Sequence, residues 1–81
     1  MEYCFPAIFR VDAEDKNFIN VSFPDIPGAV TFGEGMEEAR FMAKDVLVAM
    51  EEYVKVTTPS TLEKVQKNFP DDIIEMVKVE L

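Results

Sequence analysis

The chain has no histidine, one cysteine, three glycines and half as many basic residues as acidic ones, eight against sixteen. Without an imidazole, its serines and threonines have no general base at neutral pH, so Ser-His-Asp chemistry is excluded. Cys4 stands alone, which excludes an intramolecular disulfide and a paired-thiolate zinc site. It lies in an apolar stretch with no base to activate it and reads as a small buried hydrophobe in a reducing compartment. Gly28, Gly33 and Gly35 are turn glycines and form no phosphate-cradling motif. The net charge of −8 repels phosphate backbones, so direct nucleic-acid binding is not expected, whereas a basic macromolecular partner is attracted. No apolar run approaches the roughly 18 residues a membrane span requires, and no basic-then-apolar leader opens the chain. The expected setting is cytoplasmic, with no membrane contact and no cofactor.

What is present is a globular composition: 48% hydrophobic residues, seven of them phenylalanine. Eighty-one residues fit one domain, 1–81, whose small core gains from oligomerisation or a partner. The organising stretch is Val21 to Ala39. A strand carrying Ile19, Val21 and Phe23 ends at Pro24, which has no amide hydrogen to offer a ladder. Pro24, Asp25, Ile26, Pro27 and Gly28 make a stiff structural turn, with Pro24, Pro27 and Gly28 setting its geometry and the Asp25 carboxylate at its tip.

Before this stretch, Tyr3, Phe5, Ala7, Phe9 and Val11 alternate with Cys4, Pro6, Ile8 and Arg10, the period of a strand with one buried face. Pro6 places that strand at an edge, at a bulge, or in a pairing that uses only its carbonyl. A polar hairpin loop, Asp12 to Asn17, leads to the second strand from Phe18. A short third strand, Ala29 to Phe32, completes a meander, and Gly35 reads as a weak helix cap with Glu37 and Glu38 in the first turn.

From Met36 to Val54 the apolar positions Met36, Ala39, Ala43, Val46, Leu47, Met50 and Val54 recur every three or four residues. They predict one helix of about 28 Å that covers the sheet. Phe41, Val48 and Tyr53 fall off this stripe. Pro59 ends the helix, Ser60 or Thr61 caps a short helical turn through Leu62, Val65 and Phe69, and a terminal strand runs from Ile73 to Leu81. The fold class is therefore α+β, ordered β-β-β-α-β, with a three-stranded antiparallel meander and a terminal strand packed on one long helix. A helical crossover before the last strand leaves it free to lie parallel to its neighbour.

Two carboxylate groups invite a chemical reading. Asp12, Glu14 and Asp15 resemble the acids of a metal-dependent nuclease, but only Lys16 stands by to meet a phosphate, and a solvated turn explains them better. The acidic surface of residues 34 to 52 is the stronger candidate. Glu34, Glu37, Glu38, Asp45, Glu51 and Glu52, together with Asp25, are the candidate partner-binding residues; the plainer reading is a solvated face with surface pairs such as Glu37 with Arg40.

The segments Tyr3-Cys4-Phe5-Pro6-Ala7-Ile8-Phe9, Val21-Ser22-Phe23-Pro24-Asp25-Ile26-Pro27-Gly28 and Gly33-Glu34-Gly35-Met36-Glu37-Glu38-Ala39 resemble the HicB-like antitoxin family. Pro59-Ser60-Thr61-Leu62 and the last strand extend that likeness to nearly the whole chain. The resemblance implies a partial ribonuclease H-like fold without the nuclease site, acting as a non-enzymatic antitoxin. Its implied partner is a small basic HicA-like mRNA interferase, masked at its active site and RNA surface. Many family members add a C-terminal DNA-binding domain; here the expectation is a single HicB-like domain without one. Ala29 stands where the family often has Cys, and Gly35 where Thr or Ser often caps the helix. The alternatives are a self-associating scaffold or regulator built by pairing strand edges, and a metal-dependent nuclease.

Overall fold

The computed structural model describes all 81 residues, Met1 to Leu81. Its elements are β1 (Glu2–Val11), β2 (Phe18–Ser22), β3 (Val30–Glu34), α1 (Gly35–Ala49), α2 (Glu51–Val54), α3 (Leu62–Asn68) and β4 (Ile73–Glu80). The four strands form one sheet in the order β3-β2-β1-β4. Every pairing is antiparallel, including β1 with β4, where Tyr3 faces Val79 and Phe9 faces Ile73. The parallel option for the last strand is thus overturned: three helices and their connections return the chain to the end of the sheet from which β4 runs back along β1.

β1 lies inside the sheet, not at an edge, and the register explains how Pro6 is accommodated there. The Leu81 amide bonds to the Met1 carbonyl at 2.9 Å and the Asp12 amide to Phe18 O at 2.9 Å. Antiparallel alternation then turns the odd residues of β1 toward β4 and the even ones toward β2. The β1–β2 ladder runs only from Val11↔Ile19 to Ile8↔Ser22. Two residues further, the same register sets Pro6 opposite Pro24, two residues without amide hydrogens, just where pairing has stopped.

The odd residues of β1 and β2 make one face of the core. Phe5, Ala7, Phe9, Ile19 and Val21 pack with Val77 and Val79 against Ala39, Ala43 and Leu47 of α1, all buried. Each such large side chain withdrawn from water contributes about 1.5 to 3 kcal/mol. α1 sits so close to β3 that a Cβ on Gly33 would lie 2.5 Å from the Ala39 amide nitrogen. The opposite face is partly covered by α3, whose Val65, with Phe69 at the helix C-cap, packs on Ile8 and Ile74. One long helix on one face was the expectation; a second, smaller core under α3 is the finding.

The single helix to Val54 is also broken. Met50 leaves helical geometry at φ −106° and ψ 32°, separating α1 from the four-residue α2. Its apolar spacing continues through the break, so periodicity does not reveal it. At the other end, Gly35 is the first residue of α1 rather than a cap before it, with φ +82°, and its amide bonds to Asn17 O at 2.7 Å. The Glu38 carboxylate accepts from the Glu34 amide at 2.9 Å, a bond of the kind that forms the returning half of a capping box, while no side chain caps the first amides of α1. Thr61, rather than Ser60, caps α3 through a 3.2 Å bond from the Lys64 amide.

Candidate functional site

Apolar stripes define α1 twice over. Ala39, Ala43 and Leu47 are buried, and at about 100° of rotation per residue Phe41, Asp45 and Val48, with Glu37 and Glu38, fall on the far side of the helix. Phe41 is 67% exposed and Val48 50% exposed, on the ridge that points directly away from the sheet. Large apolar side chains on an outermost ridge are not needed by the core, so their position asks for another explanation.

Glu34, Glu37, Glu38 and Phe41 line one open recess of about 420 Å³ at the start of α1. The structure brings these three carboxylates together around an aromatic ring. Asp45 is exposed one turn further along α1, and Glu52 is exposed in α2. Carboxylates in the first turn also meet the positive end of the helix dipole, which favours them there even without a partner. Beside this site, Glu37 has no direct salt bridge: the Arg40 guanidinium bonds instead to Glu75 of β4, with two bonds of 2.9 Å, and meets Glu37 only through longer-range attraction. The surface pair anticipated between Glu37 and Arg40 is thereby corrected, because a bidentate fork on a carboxylate across the sheet is the better geometry.

Three of the anticipated acids have internal partners, Glu38 through the bond from the Glu34 amide and two others. Asp25 is half-buried, accepting from the Ser60 amide at 2.8 Å and from the Ser60 hydroxyl at 2.6 Å. It staples the turn of Pro24, Pro27 and Gly28 to the segment before α3. Gly28 supplies the left-handed conformation there, with φ +89°. Glu51 pairs with Lys55 at 2.6 Å along α2. The carboxylates of the hairpin loop are likewise engaged: Asp12 accepts from the Glu14 and Asp15 amides at 2.8 and 3.0 Å, and Asp15 from the Asn17 amide at 3.0 Å. These are turn bonds.

The residues added by the structure are Phe41 and Val48. Their signal in the sequence is their place off the main helical stripe, next to the acids.

A family profile described as "HicB_like antitoxin of bacterial toxin-antitoxin system" matches residues 5–81. The chain belongs to the HicB-like antitoxin family. Solved structures agree with this. The HicB-like chain is 26% identical to the N-terminal domain of the Burkholderia pseudomallei antitoxin HicB, with a TM-score of 0.77 and all of both chains covered. Against the structure of the B. pseudomallei antitoxin HicB the identity is 25% and the TM-score 0.79, covering 98% of this chain and 63% of that one. This sequence thus spans less than two thirds of that antitoxin's length. A toxin–antitoxin complex from Streptococcus pneumoniae contains a chain 25% identical, with a TM-score of 0.74, over 99% of this chain and 70% of that one. No curated protein sequence matches the HicB-like chain. Its helices include none long and apolar enough to cross a membrane.

Proposed function

We propose that this HicB-like domain is an antitoxin that binds a small basic HicA-like mRNA interferase and masks its active site and RNA-binding surface. The observation that carries the reading is the outer ridge of α1, where exposed Phe41 and Val48 stand among Glu34, Glu37, Glu38 and Asp45. An apolar anchor ringed by carboxylates fits a basic surface: the anchor supplies desolvated contact, and the acids supply steering and orientation. A protein evolved to cover an RNA-binding surface presents negative charge to it, as RNA does, and a net charge of −8 serves that role. One of the structural relatives comes from a toxin–antitoxin complex, which favours the same reading. The role is non-enzymatic and cytoplasmic. Self-association belongs to it too, since the outer edge of β4 is unpaired.

The test is co-expression with the product of the adjacent gene, which the proposal requires to be a small basic toxin. Growth rescue and co-purification are expected with the wild type. Both are lost with Glu37→Lys combined with Phe41→Ser, whose exposed positions leave the fold intact. A neighbour that is not toxic, or that the double variant still neutralises, overturns the proposal.

A further inference from the structure

β3 is built the wrong way round for a strand that lies under a helix. Thr31 and Gly33 face α1, while the larger apolar residues, Val30 and Phe32, stand on the opposite face, 63% and 55% exposed. On that face Val30 lies across from Ser22, Phe32 from Asn20 and Glu34 from Phe18, with Ile8 and Arg10 next along the sheet. It is the face on which α3 packs. α3 covers Ile8 and Ile74 but leaves the β2–β3 wing open, and a recess of about 260 Å³ lies there beside Ile8, Ser22 and Val30. An apolar wing that the chain itself leaves uncovered calls for an occupant.

The rings of Phe18 and Phe32 stack on this wing, with centroids 5.0 Å apart and planes 22° from parallel. The outer side of such a stack is an electron-rich ring face, which attracts a cation. Glu34 stands directly across the ladder from Phe18, exposed and without an ion-pair partner in the chain. It also lines the recess of Phe41, so the wing is continuous with the outer ridge of α1. We infer that Phe18, Phe32 and Glu34 take an arginine side chain from a basic protein partner, its guanidinium lying on the ring stack and forking onto the Glu34 carboxylate. The identity of that partner rests on the proposed function, whose contact surface is thereby carried round β3 onto the second face of the sheet.

Charge selects this occupant. Of the cations on this side, Arg10, in the same row as Asn20 and Phe32, is already forked onto Asp72 at 2.7 and 3.1 Å. Lys16 shares its hairpin loop with exposed Glu14 and Asp15, and the bond from the Gly35 amide to Asn17 O brings that loop beside the end of β3. With Glu34, Glu37 and Glu38 at the same end, the wing attracts positive charge. Shape then selects arginine over lysine, because a planar, weakly hydrated guanidinium stacks on a ring and forks onto a carboxylate at once, which an ammonium does not. The bases of a single-stranded RNA could stack on the same rings, but its phosphates would meet these acids and a net charge of −8. A second copy of this chain would bring the same acids and is repelled for the same reason.

The experiment is a heteronuclear NMR titration of the whole chain with a capped Gly-Arg-Gly-Arg-Gly peptide and its lysine counterpart, up to about 10 mM, where contacts of single side chains register. The amides of Phe18, Asn20, Phe32 and Glu34 shift and saturate, and the arginine peptide binds about threefold tighter than the lysine one. Phe32→Leu keeps an apolar side chain on the strand but removes the ring; it weakens the arginine peptide about fivefold and erases the preference over lysine. Glu34→Gln weakens both peptides. Phe32 and Glu34 lie outside the core under α1, so the spectra of both variants stay native elsewhere. In co-purification with the product of the adjacent gene, Phe32→Leu lowers capture by a similar factor. If the wild type captures nothing, the proposed function fails, while the peptide titration still decides this site. No saturable shift, shifts confined to the recess of Glu37 and Phe41, equal affinity for the two peptides, or a Phe32→Leu chain that binds peptide or partner like the wild type overturns the inference. So does a short single-stranded RNA that moves the same amides, or their movement with protein concentration alone.

Discussion

The edge at β3 is closed by its own chain, and the edge at β4 is not. β3 is short, its end amides are taken by Gly28 and Glu38, and α1 lies almost on its backbone at Gly33. β4 is longer and is held to β1 by an eight-residue ladder, with Arg40 bonded to Glu75 and, just before the strand, Arg10 bonded to Asp72 at 2.7 and 3.1 Å. On the outer side of β3 the chain itself takes two of the three amides, whereas the outer amides and carbonyls of β4 stay open. The difference assigns the two sides of this small sheet to different tasks.

Substitutions on each side separate the two kinds of hold. The largest loss is expected from Gly33→Ala, because its new Cβ meets backbone atoms of Glu38 and Ala39 at 2.5 to 2.9 Å, and backbone does not yield as a flexible side chain does. Overpacking of this kind costs about 3 kcal/mol, read as a lower urea midpoint, and a wild-type midpoint would show that α1 is not seated on β3. Asp25→Ala comes next. It leaves the partly buried Ser60 amide and hydroxyl without their acceptor and costs about 1 to 3 kcal/mol by the same measurement. Glu38→Ala costs about 0.5 to 1 kcal/mol at an exposed helix end, and reopens the Glu34 amide to fast hydrogen exchange. If that amide stays protected, the seal on β3 lies elsewhere.

The smallest effect is that of acid on β4. Hydrogen bonds from Arg40 and Arg10, aided by their charge and opposed by partial burial, hold the Glu75 and Asp72 carboxyls below the ordinary carboxylate range. A carboxyl whose folded value lies below its unfolded one stabilises the fold above about pH 4, and that contribution is lost as pH falls through the folded values. The urea midpoint is expected to hold from neutral pH down to about pH 5 and then to decline. In Arg10→Gln with Arg40→Gln the decline is shallower. An unchanged slope in the double variant would remove these pairs from the account of β4.

Much of this was legible in the sequence, and what was not has a physical reason. The alternation from Tyr3 to Val11, the turn around Pro24, Pro27 and Gly28, and the stripe through Ala39, Ala43 and Leu47 are local patterns, and they place three strands and a helix. The direction of β4 is not local, because it depends on where α3 lets the chain re-enter the sheet. Nor does any pattern mark the break at Met50, where hydrophobic spacing runs on unbroken. Of the candidate site, the acids and the off-stripe Phe41 and Val48 were visible. The engagement of Asp25 by Ser60, 35 residues away, was not, because a carboxylate at a turn tip looks alike whether it faces water or a neighbouring segment.

The facing prolines at the end of the β1–β2 ladder act as a ruler for assembly. If β2 slides by one residue along β1, the phenylalanine, isoleucine and valine that should meet α1 turn to the other face, and a proline is drawn toward a position that demands a donor. Such a misalignment is penalised twice, before α1 or β4 has docked. The hairpin can therefore find its own alignment early, and the later elements arrive on a template whose register is already decided.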